Sequence, residues 1–165
     1  MRGVFDALRE RGVALHGADL AIAGDVPSGA GLSSSASLEV AVALAVQQVE
    51  GLNSLTPTHL ALIGQRAENH FVGCQCGIMD QLVSARAQAG HASLIHCRSF
   101  DVRAVPMPAD VALLIVHSRV QRGLAGSAYN ERRTQCHEGA VRLGVAALRV
   151  RDPRICHHRL QWPPM

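Results

Sequence analysis

Residues 27–51 read PSGAGLSSSASLEVAVALAVQQVEG, and this stretch decides how the rest of the chain is understood. Its second part is apolar and alanine-rich and meets no breaker before Gly51. That run is too long for an ordinary strand and is made of good helix formers, so it predicts a buried helix over about 34–50. Upstream, LHGADLAIAGDVP sets Leu20 and Ile22 against smaller or polar neighbours and stops at Pro27, which predicts a strand over about 15–25. The order is strand, glycine- and serine-rich loop, helix.

Glycines at 29 and 31 let a backbone come close to a ligand. A helix starting near Ser33 aims its unpaired amides and the positive end of its dipole back into that loop. Such a place suits a phosphate, and Ser33, Ser34 and Ser35 add hydroxyls for phosphate oxygens or a magnesium ion. The loop lacks the lysine of a Walker A sequence and the spacing of a Rossmann fingerprint. The serines are equally suited to the plainer task of capping the long helix.

Working outward, RGVFDALRER at 2–11 places Val4, Phe5 and Leu8 on one helical face, with Gly12 as the stop. A helix is expected to begin after Thr56 and Pro57, since threonine caps and proline suits the first turn, and to run through LALIGQRAENHFV to near Gly73. A further helix follows CQCGIMDQ as far as about Arg86. Strands are expected at 92–98, 102–106 and 111–117, the first ones hairpin-paired, and then a helix from Ser127 to Leu148 with Tyr129, Arg133, Cys136 and Ala140 along one side.

The 165 residues suit one domain, and 48% hydrophobic residues are enough for a core. The formal charge of +3 and the dispersed arginines give little footing for nucleic acid. No stretch approaches the roughly 20 apolar residues of a membrane span. Arg2, Asp6, Arg9, Glu10 and Arg11 stand where a signal peptide would be apolar, so the cytoplasm is the expected compartment. Five cysteines, Cys74, Cys76, Cys97, Cys136 and Cys156, form an odd and irregular set that reads as reduced, mostly buried thiols. A zinc site from Cys74, Cys76, Cys156, His157 and His158 lacks the paired spacing that zinc requires.

Two separated segments, PSGAGLSSSASLEVAVALAV at 27–46 and AENHFVGCQCGIMDQLVSA at 67–85, resemble the GHMP kinase family, and within it the galactokinases. Pro27, Gly29, Ala30, Gly31, Leu32, Ser33, Ser34, Ser35 and Ala36 match the family's nucleotide-phosphate loop, Pro-x-x-x-Gly-Leu-x-Ser-Ser-Ala. The resemblance implies an α+β fold of the GHMP kinase type, of which residues 1–150 form a central part. It implies that the loop backbone cradles ATP phosphates, and that Ser35 and Glu68 ligate magnesium. It implies that Asp80 takes the proton from the anomeric hydroxyl of galactose, and that Gly77 and Tyr129 lie beside the sugar. Read without the resemblance, Glu68 is a solvated helix residue, Asp80 a helix-start cap, and Tyr129 a half-buried aromatic.

The implied reaction moves the γ-phosphoryl group of ATP to galactose, giving galactose 1-phosphate and ADP. The present chain has Ala128 where the family has glutamate, and His96 where aspartate is common. The family's Gly-Glu-His-Thr-Asp-Tyr and glycine-rich GGGFGG motifs do not occur in it. The expectation is therefore a central portion that is catalytically incomplete by itself, with apolar faces exposed and its oligomeric state open. The arginine- and proline-rich tail at 151–165 begins where the resemblance ends, as an out-of-frame continuation would. The alternative is a non-catalytic protein that binds ATP and sugar.

Overall fold

The computed structural model describes residues 1–117 and 128–148. Its helices are α1 (Arg2–Arg9), α2 (Ser34–Val49), α3 (Pro57–Arg66), α4 (Met79–Arg86) and α5 (Ala128–Leu143), with a π-helical segment, Ala67–Val72, continuing α3. Its strands, β1 (His91–His96) and β2 (Asp101–Pro106), pair antiparallel with His91 opposite Pro106 and His96 opposite Asp101. The α+β class expected from the sequence is the one observed.

Three helices make the main core. Val4, Ala7 and Leu8 of α1, Val42, Ala43 and Val46 of α2, and Leu60 and Ile63 of α3 are buried together with Ala67. The spacing in each helix is 3 or 4 residues, which is why one face of each is apolar and why the three pack. A smaller cluster of Ala61, Ile78 and Leu82 brings α4 against α3 and receives Ile95, Phe100 and Val102 from the hairpin. Arg86 at the end of α4 fixes the hairpin by donating to Phe100 O and to Thr58 Oγ1, each at 3.2 Å.

The start of α3 has the chemistry its sequence announces. Thr56 Oγ1 accepts from His59 N at 3.3 Å, His59 Nδ1 accepts from Thr56 N at 3.1 Å, and Pro57 takes the first helical position. The predicted single helix to Gly73 changes pitch instead at Ala67, and Gly73, at φ 81°, ends it with Cys74 N donating to Glu68 O at 3.1 Å.

Two expected strands do not form. Residues 15–25 and 111–117 have no ladder partner among the described residues. The continuous apolar run at 111–117 reads as a strand covered on both faces, but Leu113 and Leu114 are 80% and 88% exposed. Leu20 and Ile22 are likewise exposed. A strand requires a neighbour to take its amides and carbonyls, and local pattern does not supply one. At α5 only Ala140 of the expected stripe is buried; Tyr129 is 58% exposed. Ser127 and the tail at 151–165 lie outside the described residues.

Candidate functional site: a cleft between the serine-glycine loop and helix α4

The loop before α2 alternates its backbone handedness. Gly29, Gly31 and Ser33 have φ of 73°, 76° and 57°, while Ala30 and Leu32 between them are not in the positive region. Alternation of this kind turns successive amides toward one side, the concave arrangement that receives anions. Ser33 is the N-cap of α2, yet its side chain makes no capping hydrogen bond. The first-turn amides of α2 are therefore left pointing into the loop, and capping does not account for the serines.

Across from the loop stands α4. Val26, Gly31, Leu32, Ser33 and Ser37 on one side, and Met79, Asp80, Val83 and Ser84 on the other, line a cleft of about 410 Å³. Asp80 lies in the first turn of α4, where the helix dipole favours a carboxylate. No side-chain cap is made at that helix start. A larger groove of about 720 Å³ lies elsewhere, over Glu10, Arg66 and His70, and is lined by a surface ion pair in which Arg66 Nε meets Glu10 Oε2 at 2.8 Å. It shares no residue with the cleft.

Behind the cleft lies a buried polar cluster. Helical spacing puts Glu39 one turn below Ser35 on the same face of α2. Glu39 and Gln81 are 5% and 2% exposed, and Gln81 Nε2 donates to Glu39 Oε2 at 3.2 Å. Burial, with the Glu68 carboxyl alongside, pushes the Glu39 carboxyl up to about 9. Glu68, 2% exposed in the π segment, has no hydrogen-bond donor for its carboxylate oxygens other than the proton that the neighbouring Glu39 carboxyl retains. The solvated-residue reading of Glu68 is thus replaced by a buried acid.

A buried carboxylate whose sole neighbouring donor is another carboxyl fits a magnesium ion, which is commonly held by one or two carboxylates completed by phosphate oxygens and water. Ser35, on the face of α2 that carries Glu39, is the hydroxyl suited to join it. Among the described residues no three acidic, histidine or cysteine side chains gather at one point, so the protein alone does not close such a site.

Of the residues expected at the site, Gly31, Leu32, Ser33 and Asp80 line the cleft, while Pro27, Gly29, Ala30, Ser34, Ser35, Ala36, Glu68, Gly77 and Tyr129 do not. Helix α5 is instead docked near Gly77 by Asn130, which accepts from Gln75 N at 2.8 Å and donates to Gly73 O at 2.9 Å. His96 makes a turn of its own, with Nδ1 accepting from Ser99 N at 3.2 Å and lying 2.7 Å from Ser99 Oγ. Of the described cysteines, Cys74 is buried, Cys76 half-buried, and Cys97 and Cys136 exposed; these four are free thiols, as expected, but they are not the buried set expected, and Cys156 lies outside the described residues. Glu39, Gln81 and Asn130 escaped the sequence reading. Glu39 left one signal, a lone acid inside the apolar run LEVAVALAV.

An α+β chain with a left-handed serine-glycine loop at a helix start, facing an aspartate on a second helix, has the makings of a phosphoryl-transfer protein. Residues 1–88 match the family described as the GHMP kinases N terminal domain, and the chain belongs to that family. It is galactokinase-like: the structure of Lactococcus lactis galactokinase complexed with galactose matches 87% of this chain with a TM-score of 0.70 and 28% sequence identity. The match takes in 37% of that galactokinase, so the present chain spans well under half of its length.

Proposed function

We propose that this chain carries the nucleotide-phosphate and nucleophile end of a galactose kinase, transferring the γ-phosphoryl group of ATP to the anomeric hydroxyl of galactose. The observation that carries the reading is the shared cleft: the loop and Asp80, distant in sequence, line the same space. The Lactococcus lactis relative, crystallised with galactose, supports the sugar.

In this reading the backbone of residues 29–34 and the first-turn amides of α2 hold the phosphates. Asp80 accepts the proton of the attacking hydroxyl, and Gly77 and Tyr129 contribute to the sugar side. Ser35 and Glu68 hold magnesium, whose charge offsets that of the phosphates. Little covalent work falls to the protein, because phosphoryl transfer depends on positioning and on charge stabilisation. The residues concerned lie within 1–150, which act as the central part of the kinase, on soluble substrates in the cytoplasm. Among the described residues no helix is long and apolar enough to cross a membrane.

Calorimetric titration of the purified chain with magnesium-ATP, beside Ser35→Ala, tests the loop. Saturable binding weakened in the variant is expected. Galactose-dependent ADP release, lost in Asp80→Asn, then tests the chemistry. Binding of ATP and galactose with no ADP formed would assign the chain a non-catalytic binding role, the second reading.

A further inference from the structure

The walls of the cleft are joined behind it by a buried bridge. Glu39 belongs to α2, the helix that the phosphate loop opens, and Gln81 immediately follows Asp80 in α4. Their hydrogen bond, Gln81 Nε2 to Glu39 Oε2 at 3.2 Å, is buried. Helix α3 is pared down to admit it: a Cβ on Gly64 would stand 3.2 Å from Gln81 Cγ, 3.2 Å from Glu39 Cβ and 3.4 Å from Glu39 Oε2.

Stability alone does not account for this pair. Buried polar groups are costly unless fully bonded, and apolar side chains of similar size commonly serve a core as well or better. Gln81 Oε1 moreover has no hydrogen-bond partner. What an amide–carboxyl bond supplies and a methyl contact does not is direction and a fixed length. Here it fixes α2 against α4 a short way behind the two groups that face each other in the cleft.

We propose that Glu39 and Gln81 are positioning residues whose hydrogen bond sets the span between the phosphate loop and Asp80. They touch neither phosphate nor sugar and act through Ser33–Ser37 backbone and the Asp80 carboxylate. The proposal rests on the kinase reading for its purpose, whereas the bridge itself stands on the geometry.

The test uses the full chain, with Gln81→Leu and the exchanged pair Glu39→Gln/Gln81→Glu, which restores an amide–carboxyl bond in the reverse sense. Three readouts are taken: melting temperature, amide resonances of residues 33–37, and the dissociation constant for magnesium-ATP. Gln81→Leu is expected to melt near the wild type, to displace the resonances of residues 33–37 on the opposite helix, and to weaken binding about tenfold, as loss of a supporting residue around a site does. The exchanged pair is expected to bring the resonances and the affinity back. Wild-type resonances and affinity in Gln81→Leu overturn the proposal. So does a perturbation that the exchanged pair fails to reverse, which marks a packing effect. If Gln81→Leu does not fold, Gln81→Met, closer to glutamine in shape and equally unable to donate, gives the same comparison against the exchanged pair. If the wild type itself fails to bind magnesium-ATP, the kinase reading falls, and the resonances of residues 33–37 alone decide the bridge.

Discussion

Ser33 and Asp80 stand on opposite walls of one cleft, each at the start of a helix, Ser33 as the N-cap of α2 and Asp80 in the first turn of α4. The positive ends of two helix dipoles are thereby brought to the same space, which favours negative charge between them.

Ser33 holds φ 57° without glycine's freedom. The left-handed region costs an ordinary residue about 1–2 kcal/mol, and a β-branched side chain suffers most there. Serine already bears much of that cost, so Ser33→Val is expected to lower stability by about 1 kcal/mol or less, and Ser33→Gly to leave it nearly unchanged or improve it. Urea unfolding of the two variants checks this. Equal stability of Val and Gly would mean that the loop takes another conformation.

The Glu39 carboxyl, ordinarily near 4.5, is held up to about 9 in the folded chain by burial and by Glu68. Below 4.5 the folded and unfolded chains both carry the proton, and the contribution is fully present. As pH rises, the unfolded chain loses the proton first, so stability falls until the folded group also ionises. Melting temperature is therefore expected to decline from pH 4.5 towards about 9, and Glu39→Gln to flatten that decline. Parallel pH profiles for the two proteins would contradict this assignment.

Gly64 of α3 lies where a Cβ would press on Gln81 and Glu39 at 3.2 Å. Overpacking of this kind costs about 1–3 kcal/mol, against a gain of at most ~1 kcal/mol from the better helix propensity of alanine. Gly64→Ala is expected to be destabilising on balance. Differential scanning calorimetry decides it, and a raised melting temperature would show that the bridge yields.

The described cysteines divide by reactivity. Burial, reinforced by the Glu68 charge, pushes the Cys76 thiol up to about 11, and Cys74 is also raised by burial. The thiolate is the reacting form. Iodoacetamide at neutral pH is expected to modify Cys97 and Cys136, which are exposed, well before Cys74 and Cys76. Peptide mapping of a time course checks the order, and denaturant is expected to abolish it.

Much of the helical frame was legible in the chain. The apolar run after Ser33, the Thr56–Pro57 start and the Val4–Leu8 face are local signals, and α2, α3 and α1 follow from them. The loop was legible for the same reason, since its glycines, its serines and the helix behind them are neighbours in sequence. Its phosphate reading rested on those same neighbours and was narrowed to ATP by the wording of two segments that resemble a family, which alone supplied the role proposed for Asp80. Residues 15–25 and 111–117 were not legible, because alternation and β propensity describe a surface that fits a sheet and do not provide the adjoining strand.

The sequence by itself determined the helices, the loop that opens α2 and membership of the GHMP kinases, because propensity, capping and a contiguous motif are written in residues close along the chain. Tertiary structure alone decided that Asp80 faces the loop, that Glu39 meets Gln81 over Gly64, and that Glu68 is buried beside Glu39. Those relations depend on which faces of α2, α3, the π segment and α4 pack together, and packing is settled by side chains far apart in the chain competing for one interior.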